Sequence, residues 1–372
     1  MDFTFDQDQQ LLRNAARAFL DEHCTPTAVR ALWDDSRGES EAMWKDMTQL
    51  GWLGLSLPEV FGGSGLGMVE TAIVLEEMGR AAYSGSYFPT VLVATSLALG
   101  GSAEQQKRWL PAIATGSARG TVALLDAEWN WDPDAVTTRA TKTAKGWTLT
   151  GAKRFVPWAH VADVVLVPAR APEGLTLFVV DSAAAGLTLT PVTGIDPGTR
   201  WSALALHGTP VAADAVLGTP GQARPILEML LRRGAVGASA EMLGAARRAL
   251  DMSVAYAKVR EQFGQPIGSF QAIRHKCAEM LLEVENAHAA TYYAAWALDA
   301  GAEDAPLAAS VAKAYVGEAA RKVCGEAIQV HGGIGFTWEY DLHLYFKRAK
   351  ALEPMYGDAD YHRELIVRHV TD

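Results

Sequence analysis

Two runs in the last third of the chain combine side chains that could bind a nucleotide. Residues 260–271 read REQFGQPIGSFQ and carry a guanidinium, an aromatic ring and an amide ahead of a break with proline and glycine. A guanidinium suits pyrophosphate, an aromatic ring suits a flat base, and an amide suits a carbonyl or hydroxyl group. Residues 329–338 read QVHGGIGFTW. Glycines with this spacing let the backbone approach a ligand closely and take dihedral angles that a Cβ would forbid.

Each run also ends a helical pattern. Glycines at the end of a helix can serve merely as a cap and a turn, without any part in binding. The presence of both runs favours binding over that simpler interpretation. Together they resemble the acyl-CoA dehydrogenase family, flavin enzymes that desaturate acyl thioesters. The resemblance extends over essentially the whole chain.

The resemblance implies one FAD that lies across a subunit interface. One subunit would hold the flavin ring and the thioester, and the helical bundle of its neighbour would hold the diphosphate and adenosine. The contacts implied for the second role are Arg260 with the diphosphate, Phe263 on the adenine side, Gln271 nearby, and Gln329, Gly332 and Gly333 along the same groove.

The composition excludes several other functions. Hydrophobic residues make up 49% of 372 residues, enough for large cores in two or three domains, and the net charge is −10. That charge argues against a nucleic acid or an anionic membrane as partner. The absence of a signal-peptide pattern and of an apolar run of membrane-spanning length predicts a cytoplasmic location. The three cysteines lack metal-ligand spacing and are expected to be reduced thiols.

Periodicity predicts an α+β fold with three domains at 1–118, 119–222 and 223–372. The first is an N-terminal helical domain, in which Ser102 and Gln105 form a capping-box pattern. The third is expected to be a C-terminal four-helix bundle. Its helical patterns cover 235–259, 272–300 and 306–328, with another starting at 343. The order helices, sheet, helices is the order found in acyl-CoA dehydrogenases.

The central domain is predicted to be a small β-barrel or sandwich. Its β-rich stretches are short and separated by Gly, Pro and Asp, and they lie at 148–156, 164–167, 175–180 and 187–190. No GxGxxG loop follows a strand, which argues against a Rossmann dinucleotide site.

The residues that would meet the flavin ring depart from the family pattern. The family usually has a Thr-Glu-Pro-x-x-Gly-Ser-Asp loop, where this chain has LDAEWNWD at 125–132, retaining only Asp126, as an acidic substitute, and Asp132. The family threonine that bonds the reactive edge of the flavin is replaced by Pro157, which has no N–H. The aromatic residues that could still stack on a ring are Trp129, Trp131, Phe155 and Trp158.

The catalytic base is also displaced. Removal of an α-proton from a thioester needs a carboxylate at the substrate. Tyr356 stands where the family usually has this glutamate, and Gly234 stands at the alternative position on the long helix. The remaining candidates are Glu241, two helical turns beyond Gly234, and Asp358; helix packing and an N-cap are the simpler roles for them.

Three interpretations remain open. The chain could be one subunit of a heteromeric acyl-CoA dehydrogenase, lending the ADP half of the flavin site to an unlike homologous subunit. It could be a self-sufficient homo-oligomer with a relocated base. It could also be a flavin oxidase, monooxygenase or desaturase of carrier-bound substrates. In the first two cases the resemblance implies an acyl-CoA substrate, a dimer or tetramer, and an electron-transfer flavoprotein as acceptor. His160 and His331 lack partners at metal-ligand spacing, so no metal site is expected.

Overall fold

The computed structural model describes residues 4–371. In chain order the α-helices of this range are α1 (Gln7–His23), α2 (Pro26–Asp34), α3 (Glu41–Gln49), α4 (Met68–Arg80), α5 (Tyr87–Gly100), α6 (Ala103–Ala114), α7 (Arg224–Val259), α8 (Gln271–Ala300), α9 (Ala305–His331), α10 (Leu342–Leu352) and α11 (Ala359–Thr371). The strands are β1 (Gly120–Val122), β2 (Arg139–Thr143), β3 (Gly146–Pro157), β4 (Val164–Ala171), β5 (Gly174–Asp181), β6 (Leu187–Val192), β7 (Trp201–Ala212), β8 (Val216–Leu217), β9 (Glu261–Gln262) and β10 (Gln265–Pro266). The order helices, sheet, helices confirms the predicted fold class.

The chain divides into two compact units. One comprises the residues up to 31, residues 68–83 and the residues from 232 onward, and the other comprises 32–67 and 84–231. We call them the helical unit and the sheet unit. No helix within residues 4–371 is long and apolar enough to cross a membrane.

Glycines set the packing of the helical unit. A Cβ at Gly79 of α4 would lie 1.9 Å from the carbonyl oxygen of Glu241 on α7, and one at Gly244 would lie 1.9 Å from that of Glu76. The two helices therefore touch backbone to backbone, which only glycine permits. Beside this crossing, the carboxylate of the buried Glu76 accepts a hydrogen bond from Arg247 (3.0 Å). Such pairing is what allows a charge to lie in a helix interface.

The first helix of the third segment is longer than predicted. It begins at Arg224, although the alanine-rich pattern suggested a start near residue 235. Pro225 falls in the first turn, where proline is tolerated because that N–H needs no helical partner. The helix also continues through Gly234, a residue that normally weakens a helix interior.

The sheet unit is built on one mixed sheet of eight strands. Seven strands run in the order β6-β7-β3-β2-β4-β5-β8, and β1 pairs in parallel with β4. The side chains of β3, β4, β5 and β7 form an apolar core that includes Leu149, Val167 and Phe178. Within this unit, Ser102 and Gln105 form the predicted capping box at the start of α6.

A register shift interrupts β3 close to residues that the sequence singled out. The pairing of β3 with β7 shifts between Lys153 and Val156. Phe155 lies inside this irregularity and has a positive φ of 49°. Bulges re-aim side chains, and this one places the Phe155 ring on a partly exposed face of the strand.

Candidate functional site

The end of α7 leads into a short β-hairpin that displays an aromatic ring. β9 and β10 pair with Gln262 opposite Gln265, so Phe263 and Gly264 form the two-residue loop. Their φ angles are 55° and 78°, as a type I′ turn requires. Asn-Gly is the usual choice for such a turn, because bulky residues are strained at positive φ. This strained position is nevertheless occupied by a phenylalanine, and Phe263 is 93% exposed.

Arg260 joins α7 to this hairpin, and its backbone is fixed on both sides. Its N–H donates to the carbonyl of Tyr256 (2.8 Å), and its own carbonyl accepts from the N–H of Ile267 (2.7 Å). The side chains of Arg260 and of Gln271, the first residue of α8, belong to exposed residues. The guanidinium is therefore presented to solvent from a rigid base.

A stacked pair of rings brings the second run beside the first. Tyr256, one turn before Arg260, stacks on His331 with 4.3 Å between ring centroids. His331 ends α9, and its Nδ1 lies 2.7 Å from the carbonyl oxygen of Ala327. Only a protonated Nδ1 can donate to a carbonyl, so this ring carries its hydrogen on Nδ1 and is held against the end of α9.

The glycines that follow His331 have two different roles. Gly332 has φ 65° and ψ −140°, a region that is essentially restricted to glycine. A Cβ at Gly332 or Gly333 would meet no atom within 4 Å, whereas one at Gly335 would lie 2.8 Å from a carbonyl oxygen of α9. The first two glycines therefore border open space, and the third permits close packing.

We call the set formed by Arg260, Phe263, Gln271, Gln329, Gly332 and Gly333 the hairpin surface. Gln329 on the last turn of α9 is exposed, like the other members. Exposed apolar side chains flank the set, including Phe336 at 80% and Trp338 at 58%. A surface of this kind is typical of sites that another molecule covers.

In the sheet unit, the acidic residue that replaces the family glutamate is buried in an ion pair. Lys153 Nζ lies 2.5 Å from Asp126 Oδ1. The hydroxyl of Thr138 donates to the same carboxylate (2.8 Å). Burial lowers the pKa of Lys153 to about 8. Burial alone would raise the pKa of Asp126, but Lys153 and the hydrogen bonds outweigh it and the pKa is lowered. The Asp126 carboxylate therefore has a structural role, in which it ties its own loop to Lys153 and Thr138.

The other residues of the flavin-ring pattern are mostly structural as well. The carbonyl of Pro157 accepts a hydrogen bond from the Thr121 hydroxyl, and the proline has no N–H to offer. Asp132 caps a short 3-10 helix by accepting from the N–H of Asp134 (2.8 Å). Trp131 and Trp158 are buried, at 7% and 4% exposure.

Trp129 and Phe155 form the one partly exposed aromatic pair among the four candidates. Trp129 is 48% exposed, and its ring meets that of Phe155 edge to face, with 4.4 Å between centroids. These two rings are the remaining candidates in this unit for contact with a planar group.

The two positions where the family places its base meet directly in the helical unit. The ring of Tyr356 lies against Gly234, where a Cβ would be 2.4 Å from Tyr356 Cδ1. Tyr356 is only 5% exposed. Burial, and then the nearby carboxylate of Glu241, raise the pKa of Tyr356 above its ordinary value. The phenol is therefore even less suited to act as a base than a tyrosine in water.

Glu241 and Asp358, the predicted alternatives, both have structural partners. Glu241 Oε2 lies 3.5 Å from Arg348 Nη1. Arg348 in turn donates to the carbonyl of Tyr83 (2.7 Å). Asp358 Oδ1 accepts from the N–H of Tyr361 (2.9 Å), which is the N-cap geometry of α11. Both carboxylates therefore have a structural partner, and their catalytic role stays a prediction.

The turn that carries Tyr356 is held from below by a buried lysine and a buried histidine. Lys313 Nζ donates to the carbonyls of Glu353 and Gly357, both at 2.7 Å. His362 Nε2 lies 3.0 Å from the carbonyl oxygen of Tyr356. These contacts could not be predicted, because Lys313 lies in a long helix whose pattern reveals burial but not hydrogen-bond partners. Among residues 4–371, no cluster of three or more metal-ligating side chains occurs.

The three consecutive segments match family models described as the N-terminal, middle and C-terminal domains of acyl-CoA dehydrogenase. The matched residues are 6–117, 128–207 and 225–371. The chain belongs to the acyl-CoA dehydrogenase family. Members of this family are FAD-dependent oxidoreductases that act on a CH–CH bond of an acyl-CoA, as the sequence resemblance implied.

Individual acyl-CoA dehydrogenases match nearly the whole chain. The acyl-CoA dehydrogenase IpdE2 of Mycobacterium tuberculosis is 34% identical over 92% of this chain and 91% of its own length. The ChsE4–ChsE5 complex of the same organism has a chain that is 30% identical, with a TM-score of 0.93 and coverage of 100% of this chain and 99% of that one. A glutaryl-CoA dehydrogenase of Mycobacterium smegmatis in complex with FADH2 is 25% identical, with a TM-score of 0.90 over 99% and 95% of the chains.

The residues of this acyl-CoA dehydrogenase fit one part of FAD and not the other. Open backbone at Gly332 and an exposed, rigidly based Arg260 suit a diphosphate and adenosine. By contrast, Pro157 offers no hydrogen-bond donor to a flavin ring, and Tyr356 replaces the carboxylate beside it. The fit is therefore limited to the nucleotide end of the cofactor.

Proposed function

We propose that this chain is one subunit of a heteromeric acyl-CoA dehydrogenase that α,β-desaturates an acyl thioester. In this proposal its segment 223–372 lends the hairpin surface to bind the ADP end of a FAD. A homologous but unlike subunit supplies the flavin-ring contacts and the base. An electron-transfer flavoprotein or a similar acceptor then takes the electrons.

The observation that carries the proposal is the burial of Tyr356 against Gly234. Both positions that could supply a family base are filled by residues that cannot remove a proton at neutral pH. The hairpin surface nevertheless keeps its exposed arginine and its open glycines. A chain that retains nucleotide-binding residues without a base is suited to complete the site of a partner. The similarity to a chain of the ChsE4–ChsE5 complex, which is named for two unlike chains, supports an unlike partner.

Each part of the hairpin surface has a role that follows from its chemistry. Arg260 would bind the diphosphate by charge-assisted hydrogen bonds. Phe263 would pack against the adenine, with Gln271 and Gln329 hydrogen-bonding nearby. Gly332 and Gly333 would allow close approach of the backbone. FAD, when bound, supplies the acceptor for the hydride that leaves the β-carbon.

Purification separates this proposal from a self-sufficient homo-oligomer. We expect the chain expressed alone to be colourless, or yellow and inert with acyl-CoA. Co-expression with a homologous subunit encoded nearby should give a yellow complex that acyl-CoA bleaches. Bleaching of the chain alone would contradict the proposal.

If the chain alone is active, two substitutions identify its base. Glu241→Gln and Asp358→Asn remove one candidate carboxylate each with little change of shape. The variant that abolishes bleaching without losing FAD would assign the base, and unchanged turnover in both would eliminate both candidates.

Arg260→Ala tests the nucleotide-binding role directly. A hydrogen bond to a charged group contributes roughly 1.5–3 kcal/mol, so we expect FAD to bind about 10–100-fold more weakly in the complex. Because Arg260 is exposed, the melting temperature of the FAD-free chain should not change. Arg368→Ala on the exposed end of α11 is the matched control and should leave FAD affinity unaltered. Equal affinity in Arg260→Ala and the control would remove Arg260 from the site.

A further inference from the structure

The turn at Tyr356 has features that go beyond the simple loss of a carboxylate. Tyr356 has a φ of 58°, a left-handed backbone that is rare for an aromatic residue. Residues held in this region cluster at functional sites, where the surrounding structure must over-determine them. Here the surroundings do so through Lys313, which binds the carbonyls at both ends of the turn, and through His362, which contacts the carbonyl of Tyr356 itself.

The ring that this backbone presents is matched to the helix beneath it. α7 has a glycine in its interior at 234, and the phenyl ring occupies the volume that any larger residue would need, with Cδ1, Cε1 and Cγ all within 2.7 Å of an added Cβ. A ring of this size therefore requires glycine at 234. Conversely, a glycine at 234 without the ring would leave a gap in the wall of the helical unit.

We propose that the ring of Tyr356, packed against Gly234, fills the space where the reacting end of an acyl thioester would bind in this chain. We call this pair of residues the plug. The inference rests on the proposed function, and it deepens it. The chain has lost not only the base but also the space in which the reacting end of an acyl-CoA would lie. Acyl-CoA is then directed to the partner subunit, and only one of the two unlike chains binds substrate.

The plug explains why the strain is maintained. If Tyr356 did no more than replace a glutamate, a residue that readily adopts left-handed backbone could occupy position 356 equally well. A clamp of three hydrogen-bonding contacts around the turn, together with a glycine opposite the ring, indicates that the position of the ring itself is what the fold secures.

The test is the stoichiometry of acyl-CoA binding, measured by titration calorimetry with unreactive thioether analogues of short-, medium- and long-chain acyl-CoA. The full chain is titrated alone with excess FAD, and then in complex with its co-expressed partner. We expect no binding to the chain alone, and one analogue per pair of unlike chains in the complex. Tyr356→Phe keeps the ring and should bind as the wild type does. Tyr356→Gly removes the ring, suits the left-handed backbone, and should add a second site per pair.

One analogue per wild-type chain would overturn the plug even if Tyr356→Gly failed to fold. A folded Tyr356→Gly complex with unchanged stoichiometry would overturn it as well. A Tyr356→Phe variant that gains a site would show that the hydroxyl closes the position and not the ring, which also contradicts the proposal.

A second measurement tests the matched packing without any ligand. Gly234→Ala should lower the melting temperature of the wild-type chain by several degrees, but should have little effect in a Tyr356→Gly background. Equal effects in both backgrounds would contradict the contact. The visible absorbance of FAD in the same samples separates the two proposals. Loss of FAD from every assembly refutes the proposed function, whereas retained FAD with one analogue on every chain refutes the plug alone.

Discussion

Phe263 and Tyr356 have nearly the same backbone conformation and opposite surroundings. Their φ angles are 55° and 58°, but Phe263 is 93% exposed and Tyr356 is 5% exposed. Each is followed by a glycine with positive φ, Gly264 and Gly357. Left-handed backbone in a bulky residue costs free energy in both turns, of the order of 1–3 kcal/mol.

The difference lies in what offsets that cost. At Tyr356, burial of the ring and the contacts of Lys313 and His362 stabilise the turn within the chain. The described residues bury little of Phe263, which is 93% exposed and whose ring lies edge to face with that of Phe270, 6.0 Å away between centroids. A strained aromatic residue that its own fold does not bury is suited to bind something outside the chain. The turn at Phe263, on the hairpin surface, therefore faces outward. The turn at Tyr356 is shielded from solvent, and we call it the closed turn.

Tyr356→Asn breaks the closed turn and should have the largest effect. Asparagine suits the left-handed backbone, but the substitution removes a fully packed ring, for which losses of about 3–5 kcal/mol are typical. We expect a large fall in the melting temperature of the full chain by calorimetry. A loss below about 1 kcal/mol would mean that the ring does not stabilise the helical unit.

Acidification should weaken the same turn. Burial, and then the charge of Lys313, lower the pKa of His362 from 6.5 to about 4. Between these values the unfolded chain binds more protons than the folded chain, so stability falls as pH decreases from 6.5 to 4. The shift corresponds to about 3 kcal/mol.

Thermal unfolding followed from pH 7 to pH 4 checks this, with His362→Asn as the variant that should lose this part of the pH dependence. His369→Asn, on the exposed end of the same helix, is the matched control. An identical decline in His362→Asn and the wild type would rule out His362 as its origin.

Lys313→Met sharpens the role of the clamp. The substitution keeps the volume of the side chain but leaves the carbonyls of Glu353 and Gly357 without this donor, which we expect to cost about 2 kcal/mol. The loss is partly offset because a buried cation is removed; burial lowers the pKa of Lys313 to about 7. Lys322→Met, which breaks an exposed pair with Glu283, should cost at most about 1 kcal/mol. Equal losses in the two variants, measured by calorimetry, would contradict the clamp.

Phe263→Asn should have the smallest effect on stability. Unlike the substitutions above, it should act mainly on FAD binding. It gives the type I′ turn its preferred residue and removes an exposed ring, so we expect a change within about 0.5 kcal/mol. The complex should nevertheless bind FAD more weakly. If stability fell as far as in Tyr356→Asn, the ring of Phe263 would have to be packed in the protein and the comparison would fail.

The fold could be predicted from the sequence because its signals are local. The short β-rich stretches, the capping box at Ser102 and the alanine-rich helical patterns each lie within one segment. The N-cap role suggested for Asp358 is likewise local and is confirmed. The stacking of Tyr256 on His331, which joins the two nucleotide-binding runs, could not be predicted from either run.

The closed turn shows where sequence reasoning stops. Counting residues identified Gly234 and Tyr356 as two separate departures from the family, but their contact depends on how α7 meets a turn more than a hundred residues later. The partner of Glu241 was missed for the same reason, since Arg348 lies on another helix. Only packing in three dimensions shows that the two departures are one feature.

The glycine crossing of α4 and α7 fixes the position of a residue that could carry an acid. Because Gly79 abuts the carbonyl of Glu241, main-chain atoms fix where residue 241 sits, whatever side chain it bears. A mutation there can introduce or erase an acid without moving the scaffold. After gene duplication, two identical chains could therefore acquire different roles through single substitutions at positions such as 241, where the backbone is already fixed.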